Sequence, residues 1–313
     1  MTHDDAIRAG GMVTDLIDAG NGTGGADPAV LDDMTEFENE LDVHPSDGVE
    51  TGERVAEIAG IGDVSAAEVV ETARPTVTVV IPTRNEALNL PYVAERMPPV
   101  DQIVVVDGAS VDGTVDVART LWPDAVIVSQ TRSGKGNALA CGFEVATGDI
   151  IVMIDADGST DPAEIPDFVG ALVAGSDLAK GSRFSLGGHS DDITAFRRAG
   201  NKGLNWLVNR IFATSFADLC YGYNAFWRRH LEVLDLPLTD VDEPQWGDGF
   251  EIETIINVRM ARSGLTIREV GSRESKRIHG RSNLNALTDG VRVLRTIGFE
   301  RRLHRDHKAS ALR

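Results

Sequence analysis

The sequence has few cysteines and no pattern that would join them. Its 313 residues include two, Cys141 and Cys220, and neither stands in a CxxC pair or a Cys/His cluster. Two cysteines outside any such cluster argue against a disulfide framework and against a structural zinc site. Cysteine usage of this kind is typical of a reducing compartment, which favours a cytoplasmic protein.

Long hydrophobic runs are also absent. The longest uninterrupted apolar stretches have about five residues, for example residues 150–154, whereas a membrane-spanning helix needs about 20. The N-terminal sequence lacks a basic region followed by an apolar one, so no signal peptide is expected. We therefore expect a cytoplasmic protein. Peripheral attachment to the inner face of the cell membrane is compatible with this location.

Positive charge is scarce at the start of the chain. The net charge is −19, and residues 1–74 hold 18 acidic but only 3 basic residues, whereas residues 262–313 hold 13 basic and 5 acidic residues. This pattern predicts an acidic, flexible N-terminal extension over 1–74, a near-neutral domain over 75–283 and a basic tail over 284–313. Because the basic residues lack interleaved aromatics in a strongly acidic chain, nucleic acid is not an expected partner.

Strand and helix patterns alternate from residue 76 onward. Short, strand-like runs occupy residues 76–82, 102–107, 125–129, 149–155 and 177–182, and the first four of them are rich in β-branched residues. Helical patterns lie between them, starting at Glu86 and then covering residues 112–121, 136–146 and 162–175. This alternation predicts an α/β fold with a mainly parallel sheet and helices on both faces. Ligands bind beyond the carboxyl ends of such strands, so the polar segments that follow each strand should converge on one cleft.

Two carboxylates separated by one residue follow the fourth predicted strand. Asp155 and Asp157 would point to the same side of an extended segment, so they can share one hard cation. Ligation by oxygen alone favours Mg²⁺ or Mn²⁺, ions that neutralise charge as a phosphate-linked group departs. The alternative is that Asp157 and Asp161 only cap the helix that begins at Pro162.

Several motifs together resemble family 2 glycosyltransferases. In the order and spacing of that family the chain has IPTRNE (81–86), VVDGASVDGT (105–114), GKGNALACGFEVATGD (134–149), DADGSTDP (155–162) and KGSR (180–183). The chain is most similar to the dolichol- or polyprenol-phosphate mannose synthase branch, over residues 76 to about 285. The resemblance implies the GT-A fold, a Rossmann-like arrangement. It also implies metal-dependent transfer of a single sugar from a nucleotide-sugar donor to a polyprenyl phosphate, by direct displacement at the anomeric carbon.

The resemblance assigns five residues to the nucleotide side of the site. Pro82, Asn85 and Glu86 follow the first strand, where the nucleotide of the family lies, and Pro82 lines the base. Asp107, which ends the second strand, matches the acidic residue that contacts the base or the ribose. Lys135, between two glycines, faces the nucleotide. Without the resemblance, Asp107 would be a helix cap and Lys135 part of a surface turn.

The metal and phosphate contacts follow from the same resemblance. Asp155 and Asp157 match the metal-binding pair, and Asp157 is expected to be the stronger ligand. Synthases of this branch often carry a glutamine two residues after the second aspartate, but this chain has Ser159 there. Asp161 is therefore the candidate for the third ligand. Arg183 matches an arginine near the donor phosphates, and arginine suits bidentate phosphate contact.

Two acidic residues are candidates for the acceptor side. Asp248 and Glu251 lie on the turn and helix that approach the acceptor in GT-A enzymes, and either could deprotonate a hydroxyl. A phosphate monoester is already ionised near neutrality, so a polyprenyl phosphate would need no strong base. Alternatively, both carboxylates belong to a solvated helix start. Residues 226–230 do not form the QxxRW signature of processive polysaccharide synthases, which favours single-sugar transfer.

The basic tail has the pattern of an amphipathic helix. Apolar residues recur at helical spacing from Leu284 to Gly298, and five arginines lie off or beyond that stripe, at positions 292, 295, 301, 302 and 305. Such a helix can lie on an anionic membrane surface, or it can pack on its own domain with its arginines solvated. Membrane attachment would bring the enzyme to a lipid acceptor.

Two other functions remain open at this level. One is transfer of a sugar to a soluble small-molecule acceptor, which would make activity independent of detergent or membrane. The other is a non-catalytic nucleotide-binding protein that keeps the GT-A fold. Intact Asp155, Asp157 and Arg183 argue against that second possibility.

Overall fold

The computed structural model describes residues 74–281 and 286–311 of the chain, without the side chains of residues 286 and 305–311. The predicted acidic extension, apart from Arg74, lies outside the described residues. The predicted start of the basic tail, residues 284–285, lies outside them as well.

Seven strands form one sheet in the order β3-β2-β1-β4-β7-β5-β8. Their bounds are β1 (Val77–Thr83), β2 (Gln102–Asp107), β3 (Val126–Ser129), β4 (Ile150–Met153), β5 (Leu178–Ser182), β7 (Asn224–Trp227) and β8 (Ile267–Gly271). A separate two-stranded pair joins β6 (His189–Ser190) to β9 (Arg273–Glu274). The five predicted strands are all present, and the α/β fold is confirmed.

The strand directions bring four carboxyl ends to one edge of the sheet. Strand β1 pairs in parallel with β2 and β4, and β5 pairs in parallel with β8. Strand β7 lies between β4 and β5 and is antiparallel to both. Because two antiparallel pairings restore the direction, β5 runs the same way as β1, β2 and β4. The segments that follow these four strands therefore meet at one edge, as predicted.

Helices cover both faces of this sheet. They are α1 (Leu90–Glu95), α2 (Thr114–Leu121), α3 (Lys135–Val145), α4 (Ile165–Val173), α5 (Ala195–Phe212), α6 (Leu231–Leu234), α7 (Ile252–Arg262) and α8 (Ala286–Ala311). The helix predicted from Glu86 begins four residues later. Asn85 has a positive φ of 58°, and residues 86–89 form a turn closed by the bond from Asn89 N to Glu86 O. The polar chain before Leu90 is thus held at the sheet edge.

Two apolar layers sandwich the sheet because its central strands are buried on both faces. Phe168 of α4 stacks on Tyr223 at 4.2 Å on one side, and Phe143 of α3 meets Phe226 edge-on at 5.4 Å on the other. Val79 and Val80 of β1 are fully buried and contribute to opposite layers. A near-continuous apolar run is what a strand covered on both faces requires.

Helix α8 packs on its own domain along one face. Val293 and Ile297 join a buried cluster with residues of α5 and α7. Glu300 is fully buried and is paired with Arg259 at 2.9 Å and with Arg262 at 2.6 Å, both on α7. The other face exposes apolar side chains at positions 287, 291, 294 and 299. In the described part of the chain, no helix combines the length and the apolar character needed to cross a bilayer.

Candidate active site

A polar cleft of about 610 Å³ opens at the carboxyl edge of the sheet. Six of the predicted site residues line it: Pro82, Glu86, Lys135, Asp155, Asp157 and Arg183. They come from the ends of β1, β4 and β5, which the parallel arrangement brings to the same side, and from the first residue of α3. The predicted convergence of strand ends therefore exists as a single cavity, which we call the polar cleft.

Lys135 joins the first aspartate of the pair to a second carboxylate. It is the first residue of α3, and its Nζ lies 2.6 Å from Asp155 Oδ1 and 2.7 Å from Glu253 Oε1. Although burial opposes it, the charges of these two carboxylates hold the pKa of Lys135 above its usual value. Lys135 therefore stays a cation inside the cleft. The sequence motif predicted its location but not its partner on α7.

Gly222 leaves the space in which this pair forms. A Cβ at position 222 would stand 2.3 Å from Glu253 Oε1 and 2.7 Å from Lys135 Nζ. Both distances are shorter than any real carbon contact, so a side chain here would displace one of the two partners. A glycine after Tyr221 is thus part of the site.

The second aspartate of the pair faces a guanidinium. Arg277 Nη1 lies 3.2 Å from Asp157 Oδ2, and Arg277 Nη2 lies 2.6 Å from Glu86 Oε1. The main chain crosses at the same place, where Ser275 N donates to Ser159 O at 2.8 Å and Ile278 N donates to Asp157 O at 3.2 Å. The segment after β9 therefore covers the loop that carries Asp155 and Asp157, the DxD motif, and places the cation of Arg277 next to Asp157.

The residues fit a divalent cation of the magnesium type in number and in kind. Asp155 and Asp157 both present carboxylate oxygens to the cleft. Within the described residues, no three His, Cys, Asp or Glu side chains lie close enough to hold a metal ion by themselves. Mg²⁺ is usually bound through one or two carboxylates, with phosphate oxygens of the substrate and water completing its shell. Two carboxylates beside a cavity with room for phosphates meet that requirement.

Arg183 is anchored by two buried acids. Its guanidinium pairs with Asp218 at 2.7 Å and with Glu274 at 3.0 Å, and it lies 5.0 Å from the centre of the Tyr221 ring. Burial opposes ionisation of Asp218, but the hydrogen bonds and charge of Arg183 keep the pKa of that carboxyl below its usual range. The arginine is 5% exposed and still lines the polar cleft, so its position is rigid.

Two predicted nucleotide residues, Asn85 and Asp107, do not line the cleft. Asn85 accepts a hydrogen bond from Val111 N at 2.9 Å, so it braces the loop after β2. Asp107 is 7% exposed and accepts from Ser110 N at 3.1 Å through Oδ2. Its Oδ1 is buried and has no hydrogen-bond partner within the described residues. Asp107 does not itself line the cleft, so this oxygen faces the protein interior in the structure described.

Asp161 is directed elsewhere. Its carboxylate forms an ion pair with Arg96, and its Oδ1 accepts a bond from Ala163 N at 3.0 Å at the start of the 3₁₀ turn over Pro162–Glu164. Asp161 does not line the polar cleft. Asp161 therefore has the capping role that was the alternative to metal binding. Its carboxylate, just before Pro162, accepts from a free amide at the helix start.

Asp248 and Glu251 also lie outside the lining of the cleft. Asp248 forms a two-bond ion pair with Arg132, at 2.9 Å and 2.8 Å, in a buried position. Glu251 is fully buried and accepts from Gly247 N at 3.1 Å and Gly249 N at 3.3 Å. Neither matches the solvated helix start that was the alternative. The carboxylate that α7 directs into the cleft is Glu253.

An apolar groove of about 450 Å³ adjoins the polar cleft. It runs between α5 and α8, and its apolar lining includes Ile193, Phe196, Leu204, Leu287, Val291 and Leu294. Five residues line both cavities: Arg183, Arg197, Cys220, Phe250 and Glu253. The groove therefore opens at the point where Arg183 and Glu253 face the cleft.

Comparison with known proteins identifies the family. The profile of Glycosyl transferase family 2 matches residues 78–234, which is half of the chain. The chain belongs to glycosyltransferase family 2. The polyprenol monophosphomannose synthase of Mycolicibacterium smegmatis is 33% identical over 68% of this chain and 83% of that protein. The undecaprenyl-phosphate mannosyltransferase of Micrococcus luteus is 34% identical over 70% of this chain and 91% of that protein.

Solved structures agree with the fold of this glycosyltransferase. The glucosyl-3-phosphoglycerate synthase of Mycobacterium tuberculosis, crystallised with Mn²⁺, UDP and glucosyl-3-phosphoglycerate, has a TM-score of 0.55 and 25% identity. The match covers 72% of this chain and 80% of that chain. The predicted GT-A fold is confirmed, and so is the predicted resemblance to the polyprenol-phosphate mannose synthase branch.

Three cleft residues were missed or left open by the sequence motifs: Glu253, Glu274 and Arg277. Glu253 follows Glu251 by two positions, but only the phase of a helix that begins at Ile252 decides which of the two reaches the cleft. Arg277 lies beyond β9 and follows none of the predicted strands, so the strand order alone could not place it at the cleft. Glu274 depends on the pairing of β9 with β6, which no sequence pattern signals.

Proposed function

We propose that this glycosyltransferase transfers one sugar from a nucleotide-sugar donor to a polyprenyl phosphate. The observation that carries the proposal is the junction of the apolar groove with the polar cleft. A soluble sugar acceptor needs no apolar channel, whereas an isoprenoid tail gains roughly 25 cal/mol per Å² of surface that it buries. Relatives named for polyprenol and undecaprenyl phosphates support the same acceptor class.

The donor side is proposed to use residues of the polar cleft. Glu86 and Pro82 lie at the end of β1 where the nucleotide would lie. Asp107, at the end of the neighbouring β2, is proposed to contact the base or ribose after its buried Oδ1 becomes exposed. Asp155 and Asp157 would hold Mg²⁺ or Mn²⁺. That ion would supply positive charge against the donor diphosphate as the sugar leaves. Lys135 provides a second, fixed positive charge at the same place.

The acceptor phosphate is proposed to lie at the junction, near Arg197 and next to Arg183, the arginine that the resemblance assigns to the donor phosphates. Both arginines line the cleft and the groove, and Arg197 is paired at 2.8 Å with the partly exposed Asp192. Guanidinium groups bind phosphate oxygens with bidentate geometry. An acceptor phosphate oxygen would attack the anomeric carbon as the bond to the donor phosphate breaks. A phosphate that is already ionised needs no general base, which agrees with Asp248 and Glu251 lying outside the cleft.

Attachment to a membrane surface is part of the proposal. Leu287, Val291 and Leu294 of α8 are between 47% and 68% exposed, and Phe196 at the start of α5 is 65% exposed. These side chains surround the groove, so a surface-bound enzyme would receive the lipid tail from the bilayer. Exposed arginines of α8 at positions 295, 301 and 302 would add attraction to anionic lipid.

A second candidate is transfer to a soluble phosphorylated acceptor. It is favoured by the structural likeness to the glucosyl-3-phosphoglycerate synthase, which was crystallised with its product glucosyl-3-phosphoglycerate. The phosphate-binding junction would serve either acceptor, but the groove would have no occupant in this case.

The test offers both acceptors to the purified protein. Nucleotide sugars with different bases and sugars are supplied with Mg²⁺ or Mn²⁺, together with either polyprenyl phosphate in detergent or 3-phosphoglycerate. We expect a glycolipid carrying one sugar, formed only with polyprenyl phosphate. Turnover of 3-phosphoglycerate without turnover of polyprenyl phosphate would overturn the proposal and support the soluble acceptor.

A further inference from the structure

Helix α8 reaches the start of α7 through one ion pair. Arg292 Nε lies 3.6 Å from Glu251 Oε2, and the two side chains differ sharply in exposure, 47% against 0%. Glu251 Oε2 has no hydrogen-bond partner within the described residues, so the guanidinium is the charge that faces it. A buried carboxylate without a compensating cation is costly, and this pair therefore matters for the position of Glu251.

The turn before α7 is shaped around this pair. A Cβ at Gly249 would lie 2.5 Å from Glu251 Oε2 and 2.8 Å from Arg292 Nη1. The glycine thus leaves room for both groups. The other oxygen of Glu251 accepts from Gly247 N and Gly249 N, which ties the turn to the carboxylate. Gly247 has a φ of +109°, so the turn needs a glycine there too.

The same turn holds the first turn of α3. The carbonyl of Asp248 accepts from Gly136 N at 2.7 Å and from Asn137 N at 3.2 Å. A Cβ at Gly136 would lie 1.8 Å from the carbonyl oxygen of Gly247, so the two backbones are in direct contact. Lys135 lies between Gly134 and Gly136, and its ammonium reaches Asp155 and Glu253 from this fixed start.

We propose that Arg292 and Glu251 are positioning residues for Lys135, so that α8 sets the geometry of the polar cleft. The contact chain runs from the guanidinium of Arg292 to the carboxylate of Glu251, then to the turn at Gly247–Gly249, then to the amides of α3. This inference rests on the proposed role of Lys135 on the donor side. It gives α8 a second task besides lining the groove.

The test compares two exposed arginines. Arg292→Gln removes the charge that faces Glu251, and Arg210→Gln removes an exposed charge of α5 that does not belong to the contact chain. Hydrogen exchange of the backbone amides of residues 134–137 is measured without any ligand. Exchange should rise in Arg292→Gln, remain at the wild-type rate in Arg210→Gln and return toward the wild-type rate in Arg292→Lys.

Kinetics give a readout that a purely structural role would not change. Because a misplaced catalytic group costs rate, Arg292→Gln should raise the donor KM or lower kcat by about tenfold or more, with a soluble short-chain prenyl phosphate as acceptor. Arg292→Gln should also melt at a lower temperature than Arg210→Gln, because it leaves the fully buried Glu251 without the cation that faces it, so the kinetics are measured well below both melting temperatures. Glu251→Gln combined with Arg292→Gln should be no worse than the more damaging single change.

The outcomes separate this inference from the proposed function. Equal exchange and equal kinetics in Arg292→Gln and Arg210→Gln would overturn the positioning role. Lys135→Met with an unchanged donor KM and kcat would instead contradict the proposed donor-side role of Lys135. The exchange measurement would still decide in that case whether α8 holds the first turn of α3.

Discussion

Replacing Gly222 with alanine should damage the polar cleft while leaving the fold in place. The new Cβ would stand 2.3 Å from Glu253 Oε1, and the carboxylate must retreat by about 1 Å to restore an ordinary contact of 3.4 Å. Glu253 has little freedom to do so, because its side chain is 9% exposed and bound to Lys135. The backbone at Gly222 is not in the left-handed region, so alanine itself is conformationally allowed.

The size of the effect follows from this displacement. Overpacking of a well-packed interior costs about 1–3 kcal/mol of unfolding free energy. A shift of about 1 Å in a group that positions substrate can cost on the order of 10²-fold in rate. We therefore expect Gly222→Ala to remain folded, to lose about 1–3 kcal/mol in urea unfolding and to lose about two orders of magnitude in kcat/KM for the donor.

A matched glycine provides the control. A Cβ at Gly148 would lie 2.7 Å from Thr78 N, but this residue precedes β4, at the opposite edge of the sheet from the cleft. Gly148→Ala should lose stability without a comparable loss of kcat/KM. Shortening the carboxylate makes room for the new methyl group, so Glu253→Asp should restore part of the activity of Gly222→Ala. Wild-type kcat/KM in Gly222→Ala would refute the role given to the Lys135–Glu253 pair.

Three further predictions concern the metal, the acid stability and the tail. Asp157→Asn should abolish transfer in a folded protein, because the donor diphosphate loses a charged metal ligand; near-normal turnover of this variant in excess chelator would contradict the DxD assignment. The lowered pKa of Asp218 means that its contribution to stability is present above its unfolded pKa of about 3.9 and is lost as pH falls through the folded value. Asp218→Asn should therefore cost about 3–5 kcal/mol in denaturant unfolding at pH 7, and a smaller difference from wild type should remain at pH 2 to 3; a difference that does not change with pH would contradict this. Replacing three exposed arginines of α8, Arg295, Arg301 and Arg302, with glutamine should weaken co-sedimentation of the protein with anionic liposomes at low salt. Unchanged co-sedimentation would show that these arginines do not bind the membrane surface.

Most of the sheet could be predicted from the sequence because its strands carry their own signal. Runs such as residues 102–107 are short, apolar and β-branched, which is typical of strands buried on both faces. Strand β7 was not predicted, since it lies beyond the regular alternation of strands and helices over residues 76–182 from which the other strands were inferred. Its position between β4 and β5 is decided by tertiary packing, including the stacking of Tyr223 on Phe168.

The candidate site divides in a similar way. Residues that directly follow predicted strands, such as Asp155 and Arg183, could be placed at the cleft because parallel strands end at a common edge. Acidic residues near α7 could not be placed in this way. Glu251 and Glu253 differ in direction by about 200° around a helix. An error of one or two residues in the predicted start of the helix therefore changes which of the two is expected to face the cleft. Asp161 has a carboxylate, as a metal ligand requires, but this carboxylate pairs with Arg96. The sequence could not show that pairing, because Arg96 lies 65 residues earlier in the chain.

The most direct test of the central claim measures how the rate depends on the length of the acceptor chain. Gly203 lies on α5, lines the apolar groove and has open space where a Cβ would be, so Gly203→Leu should fill the groove without a clash. Gly170→Leu is the control, because it also enters open space in a helix but lies outside the groove. Prenyl phosphates of 5, 10 and 15 carbons, kept below micelle-forming concentrations, serve as acceptors.

Each buried methylene contributes about 0.8 kcal/mol, so kcat/KM of the wild type should rise steeply with chain length. The same rise is expected in Gly170→Leu. In Gly203→Leu the dependence on chain length should be largely lost, while the rate with the 5-carbon acceptor stays close to that of the wild type. A wild-type rate that does not depend on chain length, or a Gly203→Leu variant with an unaltered dependence, would contradict the assignment of the groove to a polyprenyl tail.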